Sequence, residues 1–184
     1  MKRKTVYTLV LIAFVLSFFV TPVGYWSKVA LTRMFAPAPE VVDSADRQQI
    51  TDYDWRLKDA NWNYFNFDRS RGKVVLVHFW ASWHLPSSAE LKDIQELYDE
   101  YGQEVDFYIV TNEERAPVEE FLEKNKYSMP ITYRIVGAPS PLEIPDPSGT
   151  YIIDKSGHVV VKSLKTKDWY NDKVTALFDS LLRE

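Results

Sequence analysis

The residues best suited to chemistry are His84 and Ser87, which lie three positions apart at the predicted start of a helix. An imidazole and a hydroxyl at this spacing are within hydrogen-bonding reach of each other, as in a serine hydrolase. However, Ser87 is not part of a Gly-x-Ser-x-Gly elbow, and a helix N-terminus disfavours the protonated imidazole that such catalysis requires. We therefore predict that neither residue is catalytic.

Thiol chemistry and metal chemistry are both poorly supported. The chain contains no cysteine, which excludes disulfides, thiolate metal sites and a cysteine nucleophile. Its three histidines, His78, His84 and His158, could supply imidazole ligands. His78, however, falls in an apolar run typical of a buried strand, and His158 falls in a predicted hairpin that faces solvent. We predict no metal site and no cofactor.

The net charge of −4 is unevenly distributed along the chain. The first 33 residues carry five basic residues and no acid, so the remainder holds 17 basic and 26 acidic residues and has a net charge of −9. Proteins that bind nucleic acid usually present a basic surface to the phosphate backbone. We therefore expect no nucleic-acid partner.

An uncharged segment, residues 5–27, follows three basic residues at the N-terminus. About 20 apolar residues in a helix span a bilayer, and the stretch from Val6 to Val20 is almost wholly apolar. We predict that residues 1–34 form a single-pass membrane anchor that places the following domain on the periplasmic or extracytoplasmic side. A cleaved secretory signal has the same basic and apolar regions and stays an alternative, as does a buried soluble helix.

Two further segments follow the predicted anchor. Residues 35–50 contain Pro37 and Pro39 and lack regular periodicity, which is typical of a semi-extended spacer. Residues 51–184 form one domain in which strand-like and helix-like patterns alternate. The predicted order is ββ-β-α-β-α-β-β-α: a hairpin over 53–67, a strand over 73–80, a helix over 86–102, a strand over 105–110, a helix over 116–126, a strand over 131–136, a hairpin over 150–161 and a helix over 169–182.

The stretch Gly72 to Leu91, GKVVLVHFWASWHLPSSAEL, resembles the core motif of TlpA/ResA-type membrane-anchored thioredoxin-like proteins. In that family a tryptophan is followed by Cys-x-Pro-Cys, whereas here Trp83 is followed by His84-Leu85-Pro86-Ser87. The segment TYIID at 150–154 resembles the second signature of the family, which begins with a cis-proline. The resemblance spans about residues 52–183. It implies an α/β thioredoxin-like fold with a central mixed sheet flanked by helices and an N-terminal hairpin, preceded by one transmembrane helix.

The chain departs from this family at two places. Both cysteines are replaced, so the chain cannot carry out thiol–disulfide exchange with its own side chains. The cis-proline position falls on Ser148, with Pro147 one residue earlier, which makes Pro147 the candidate for a cis bond. Near the motif we expect Trp80 to be a core residue, Trp83 to be partly exposed and Glu90 to be an ordinary acid on the helix surface.

These features favour a non-catalytic binding module that holds an extended segment of another protein of the cell envelope or membrane. The predicted binding residues lie around the former active site: Trp83, His84, Leu85, Pro86, Pro147, Ser148 and Gly149. An enzyme with non-thiol chemistry in the same groove and a structural subunit of a membrane complex stay as alternatives.

Overall fold

A seven-stranded mixed sheet lies at the centre of the domain in the computed structural model, which describes residues 3–20, 22–145 and 147–184. Across the sheet the strands are ordered β2-β1-β5-β4-β3-β6-β7. Their bounds are β1 Arg56–Lys58, β2 Tyr64–Asn66, β3 Val75–Phe79, β4 Asp106–Thr111, β5 Ile131–Arg134, β6 Gly149–Ile153 and β7 Val159–Ser163.

Strands β3, β4 and β5 run parallel and form the middle of the sheet. Every residue of β3 is buried, as expected of a parallel strand that is covered on both faces. The hairpins β1–β2 and β6–β7 are antiparallel and extend the sheet on either side. The predicted α/β thioredoxin-like fold and the predicted order of its elements are therefore confirmed.

Five α-helices lie in the described part of the chain. They are α1 Arg3–Val20, α2 Pro22–Met34, α3 Leu85–Tyr101, α4 Arg115–Asn125 and α5 Asp172–Arg183. Helix α5 begins three residues later than predicted because the side chain of Asn171 accepts hydrogen bonds from the backbone N–H groups of Lys173 and Val174. Asn171 is therefore the N-cap, and Trp169 belongs to the preceding loop.

The apolar core has a layer on each face of the sheet. One layer joins the sheet to helices α3, α4 and α5 through side chains such as Leu91, Val118 and Phe178. The other layer is covered by the chain around the first hairpin, where Trp55 and Phe67 pack edge to face with ring centroids 5.6 Å apart. The two layers fix the strand ends on which the candidate site is built.

The N-terminal helices were predicted to form a membrane anchor. None of the helices in the described residues is both long and apolar enough to cross a membrane. The predicted uncharged span, residues 5–27, covers all but the first two residues of α1 and the first part of α2. Residue 21, between the two helices, lies outside the described residues. Helix α2 contacts the domain through an ion pair between Arg33 and Asp93 of α3.

The segment 35–50 pairs with the outer edge of β7. Isolated bridges join Val41 to Val161 and Gln49 to His158. The backbone N–H of Val42 also donates to the carbonyl of Val160 at 2.8 Å. The segment is therefore hydrogen-bonded to the sheet, and it contains a short 3₁₀ helix, Ser44–Asp46. Its proline content alone indicated neither feature.

Candidate functional site

Helix α3 begins immediately after His84, whose side chain caps it. The backbone N–H of Ser87 donates to Nδ1 of His84 at 3.4 Å, and the Ser87 hydroxyl lies 2.9 Å from the same nitrogen. The helix has a proline in its first turn, where the missing N–H costs no hydrogen bond. His84 and Ser87 thus occupy the N-cap and the third helical position, and their side chains are in contact.

The Ser87 hydroxyl cannot act as a nucleophile in this arrangement. The residue is 0% exposed, so a substrate carbonyl has no access to its oxygen. A serine hydrolase requires its nucleophile at a surface open to substrate. The geometry therefore gives His84 and Ser87 a structural role as the start of α3.

A groove with a volume of about 270 Å³ opens beside the start of α3, at the carboxyl ends of β3, β4 and β5. Ligands of open α/β sheets bind at this end of the strands. The strand ends contribute Phe79, Trp80, Val110, Thr111, Asn112 and Arg134 to its wall. The loops contribute Trp83, Ile144, Pro145 and Pro147. Most of the residues in the wall are therefore apolar or aromatic, although the surface that they expose to the groove is at least as polar as it is apolar.

The predicted binding residues fall into two groups. Trp83 and Pro147 line the groove, and Trp83 is 68% exposed. Leu85 and Pro86 form the half-buried first turn of α3 and are not part of the wall. The peptide bond before Pro147 involves residue 146, so the predicted cis bond lies outside the described residues.

Ser148 and Gly149 lie behind the groove wall. Ser148 has a φ of 100°, a conformation that L-residues adopt only at an energetic cost. It is buried, and its hydroxyl donates to Oε2 of Glu90 at 2.7 Å. A Cβ on Gly149 would lie 2.8 Å from Pro145, so no side chain fits there. These two residues place the loop that carries Pro145 and Pro147.

Glu90 connects three elements from the interior of the domain. Its side chain accepts hydrogen bonds from Ser148, from the Trp169 indole N–H at 2.7 Å and from the Lys167 backbone N–H at 3.1 Å. The prediction that Glu90 is an ordinary surface acid is wrong, because the residue is only 1% exposed. Burial raises the pKa of Glu90 to about 7, although the three hydrogen bonds favour the ionised form.

His78 is buried in β3, as predicted for a core histidine. Its Nδ1 lies 2.8 Å from the Thr150 hydroxyl, whereas its Nε2 has no hydrogen-bond partner among the described residues. Burial lowers the pKa of His78 to about 3, so the imidazole is neutral in the folded protein at neutral pH.

The three histidines do not form a metal site with one another. No group of three or more His, Cys, Asp or Glu side chains in the described part of the chain could hold a metal ion. His158 instead lies in the β6–β7 hairpin, where Nδ1 is 3.4 Å from a carboxylate oxygen of Asp154.

Several wall residues were not predicted. Asn112 and Arg134 follow or end strands that are far from the motif in sequence, and Ile144 and Pro145 lie in a loop without periodicity. Asn112 and Arg134 share a position at the carboxyl end of a strand, and this signal becomes useful only when the strand order is known. No sequence signal marks Ile144 and Pro145.

The strand order, the capped α3 and the groove define a thioredoxin-like domain in which His84 and Ser87 occupy the two dithiol positions. The model of the AhpC/TSA family matches residues 48–162, and the chain belongs to this family. It is a redoxin domain without cysteine, related to thiol–disulfide oxidoreductases.

Individual relatives support this assignment. The thiol–disulfide oxidoreductase ResA of Geobacillus kaustophilus is 28% identical over 123 residues, which cover 62% of this chain and 69% of that protein. The sporulation thiol–disulfide oxidoreductase A of Bacillus subtilis is 33% identical over 67 residues, covering 34% and 41%. Among solved structures, a secreted thiol–disulfide isomerase of Corynebacterium glutamicum gives a TM-score of 0.63 at 20% identity, covering 79% of this chain and 92% of that one. The last comparison shows the fold alone.

Proposed function

We propose that this chain is a non-catalytic binding module, of the TlpA/ResA type, that holds an extended segment of another envelope protein in the groove beside Trp83. The observation that carries the proposal is the contrast between the two parts of the former active site. Ser87 at the second dithiol position is sealed from solvent, whereas the aromatic side chain of Trp83 on the groove wall is exposed.

The volume of the groove lies near the small end of the range for ligand pockets. Pockets that enclose drug-sized ligands usually have volumes of roughly 300–1,000 Å³, and this groove has about 270 Å³. One or two side chains of an extended segment would fill it. The loop before β6 can add backbone hydrogen bonds to such a segment, as in other cases of strand addition.

Trp83→Ala should weaken binding of the partner by about 1–3 kcal/mol, the range expected for truncating a central aromatic contact. Because the side chain is mostly exposed in the free protein, the melting temperature should hardly change. The partner is first isolated by affinity purification with the membrane-anchored protein as bait. Its dissociation constant from the full chain in detergent is then measured.

Trp62→Ala is the matched control, because Trp62 is also exposed but is not part of the groove wall. Equal affinities for the unmodified chain, Trp62→Ala and Trp83→Ala would disprove docking in the groove.

We further propose that residues 5–27 anchor the protein in the membrane, with the domain on the extracytoplasmic side. The support is the uncharged run itself and the surface of α1, where every residue from Arg3 to Leu16 is exposed. Such a surface lacks protein cover, and lipid would supply it. One relative in structure is a secreted protein.

Carbonate extraction of membranes should leave the chain in the pellet, and protease added to spheroplasts should remove the domain. A matched sample lysed before protease treatment controls for access. A shortened, freely soluble form would instead indicate a cleaved signal.

A further inference from the structure

One cation lies on the groove wall among the described residues. Arg134 ends β5, at the point where the three parallel strands meet the groove. Its guanidinium has no hydrogen-bond or ion-pair partner in the described part of the chain. The domain as a whole is acidic, and Arg134 is the one charged residue among those that line the groove in the described part of the chain.

Two acidic residues in the neighbouring loops, Glu113 and Glu143, already have partners among the described residues. Both carboxylate oxygens of Glu113 accept hydrogen bonds from Ser82, from its backbone N–H at 2.6 Å and from its hydroxyl at 2.7 Å. Glu143 pairs with Lys162 at 2.6 Å. These interactions leave the positive charge of Arg134 available to a ligand.

A second polar residue of the wall can also donate hydrogen bonds. Asn112 lines the groove and is exposed, so its amide N–H groups can donate to a ligand. Arg134 and Asn112 therefore both offer donors to a ligand carboxylate.

We propose that the groove recognises an extended segment that places an aspartate or glutamate side chain against Arg134 and an apolar side chain against Trp83. A guanidinium and a carboxylate form the strongest hydrogen-bonded pair available to protein side chains. Because Arg134 is partly buried, such a pair would be stronger than one on an open surface. This inference rests on the proposed binding function and specifies its ligand.

The test is selection of a random heptapeptide library, linked to its encoding nucleic acid through the peptide C-terminus so that no terminal carboxylate is free. The bait is the full chain in detergent. Selected peptides should carry Asp or Glu next to an apolar residue. Replacing that acid by Asn or Gln in a synthetic blocked peptide should weaken binding on the order of tenfold, as expected for loss of a charged hydrogen bond.

Variants of the protein distinguish recognition of an acid by Arg134 from peptide binding in general. Arg134→Gln should abolish the preference for acid over amide, and Arg134→Lys should keep it because the charge stays. Arg183→Gln removes the same charge from an exposed position of α5 outside the groove, and it should leave the preference unchanged. Circular dichroism checks that each variant is folded.

Two other outcomes would contradict the acidic specificity, the binding function or both. Peptides that bind through Trp83 without any acid preference, or with a preference that survives Arg134→Gln, would overturn the acidic specificity and leave the binding function standing. Failure of the unmodified chain to enrich any peptide above the Trp83→Ala variant would overturn both.

Discussion

The double substitution His84→Cys with Ser87→Cys should give a chain whose two thiols form an internal disulfide on oxidation and, in the dithiol form, reduce insulin with dithiothreitol as the reductant for turnover. The side chains of these residues already touch at 2.9 Å, close enough that two sulfur atoms could bond after small adjustments. His84 is the N-cap of α3, and a helix N-terminus lowers the pKa of a thiol placed there. The buried third position would hold the resolving thiol. The unmodified chain should show no turnover.

The single variants are the controls for this experiment. His84→Cys alone should form mixed disulfides that are not resolved, because no second thiol is present. Ser87→Cys alone should react slowly because the site is sealed. Turnover by the unmodified protein, or a double variant that stays in the dithiol form under oxidising conditions, would contradict the assignment of these two positions.

The second large effect concerns how stability depends on pH, because His78 and Glu90 act with opposite signs. Below its ordinary pKa of 6.5 the His78 imidazole takes up a proton in the unfolded chain, whereas the folded chain resists protonation until about pH 3. The free energy of unfolding therefore falls as the pH falls from 6.5, by up to about 1.4 kcal/mol per pH unit.

Glu90 has a folded pKa of about 7 against an ordinary 4.5. Between pH 7 and 4.5 the Glu90 carboxyl is therefore protonated in the folded chain but ionised in the unfolded chain. Its contribution to the free energy of unfolding rises as the pH falls through this interval.

Between pH 6.5 and 4.5 these contributions should nearly cancel in the unmodified protein. Glu90→Gln keeps a neutral side chain of the same shape and removes its titration, so stability should fall by roughly 2 kcal/mol over this interval. His78→Gln should give a rise of similar size. Urea unfolding of the full chain in detergent, followed by circular dichroism at several pH values, measures both slopes.

The double variant with Glu90→Gln and His78→Gln should again show a free energy of unfolding that hardly changes between pH 6.5 and 4.5. The other titrating groups are common to all four proteins, so they cancel when the slopes are compared. Parallel profiles for the unmodified chain and the two single variants would show that neither buried group titrates as described.

Much of the fold follows from local sequence patterns. The apolar run that contains β3 predicts a buried parallel strand, and Pro86 and Gly102 frame α3 to within a residue at each end. The strand and the helix ends depend on residues that are neighbours in the chain, so hydrophobic periodicity and capping preferences are enough to predict them. The absence of thiol chemistry also follows from composition alone.

The buried polar groups could not be predicted in this way. Glu90 has the spacing of a surface residue on α3, and its burial results from the loop that brings Trp169 over it, 79 positions later in the chain. Arg134 becomes part of the groove only because β5 lies beside β4 in the sheet. The positive φ of Ser148 likewise depends on contacts with a distant helix. Such features depend on tertiary contacts that no local pattern encodes.

The pairing of residues 41–50 with β7 also protects the domain from self-association. Strand β7 begins with three consecutive valines, Val159 to Val161, and an open edge of this kind can recruit a strand from another molecule and start aggregation. The backbone of Val42, Gln48 and Ile50 occupies hydrogen-bonding positions along β7 and the turn before it. The opposite edge of the sheet, β2, is only three residues long and offers little template for growth. The segment that leads into the domain therefore also closes the longer open edge of its sheet, which favours a monomer that stays dispersed at high local concentration.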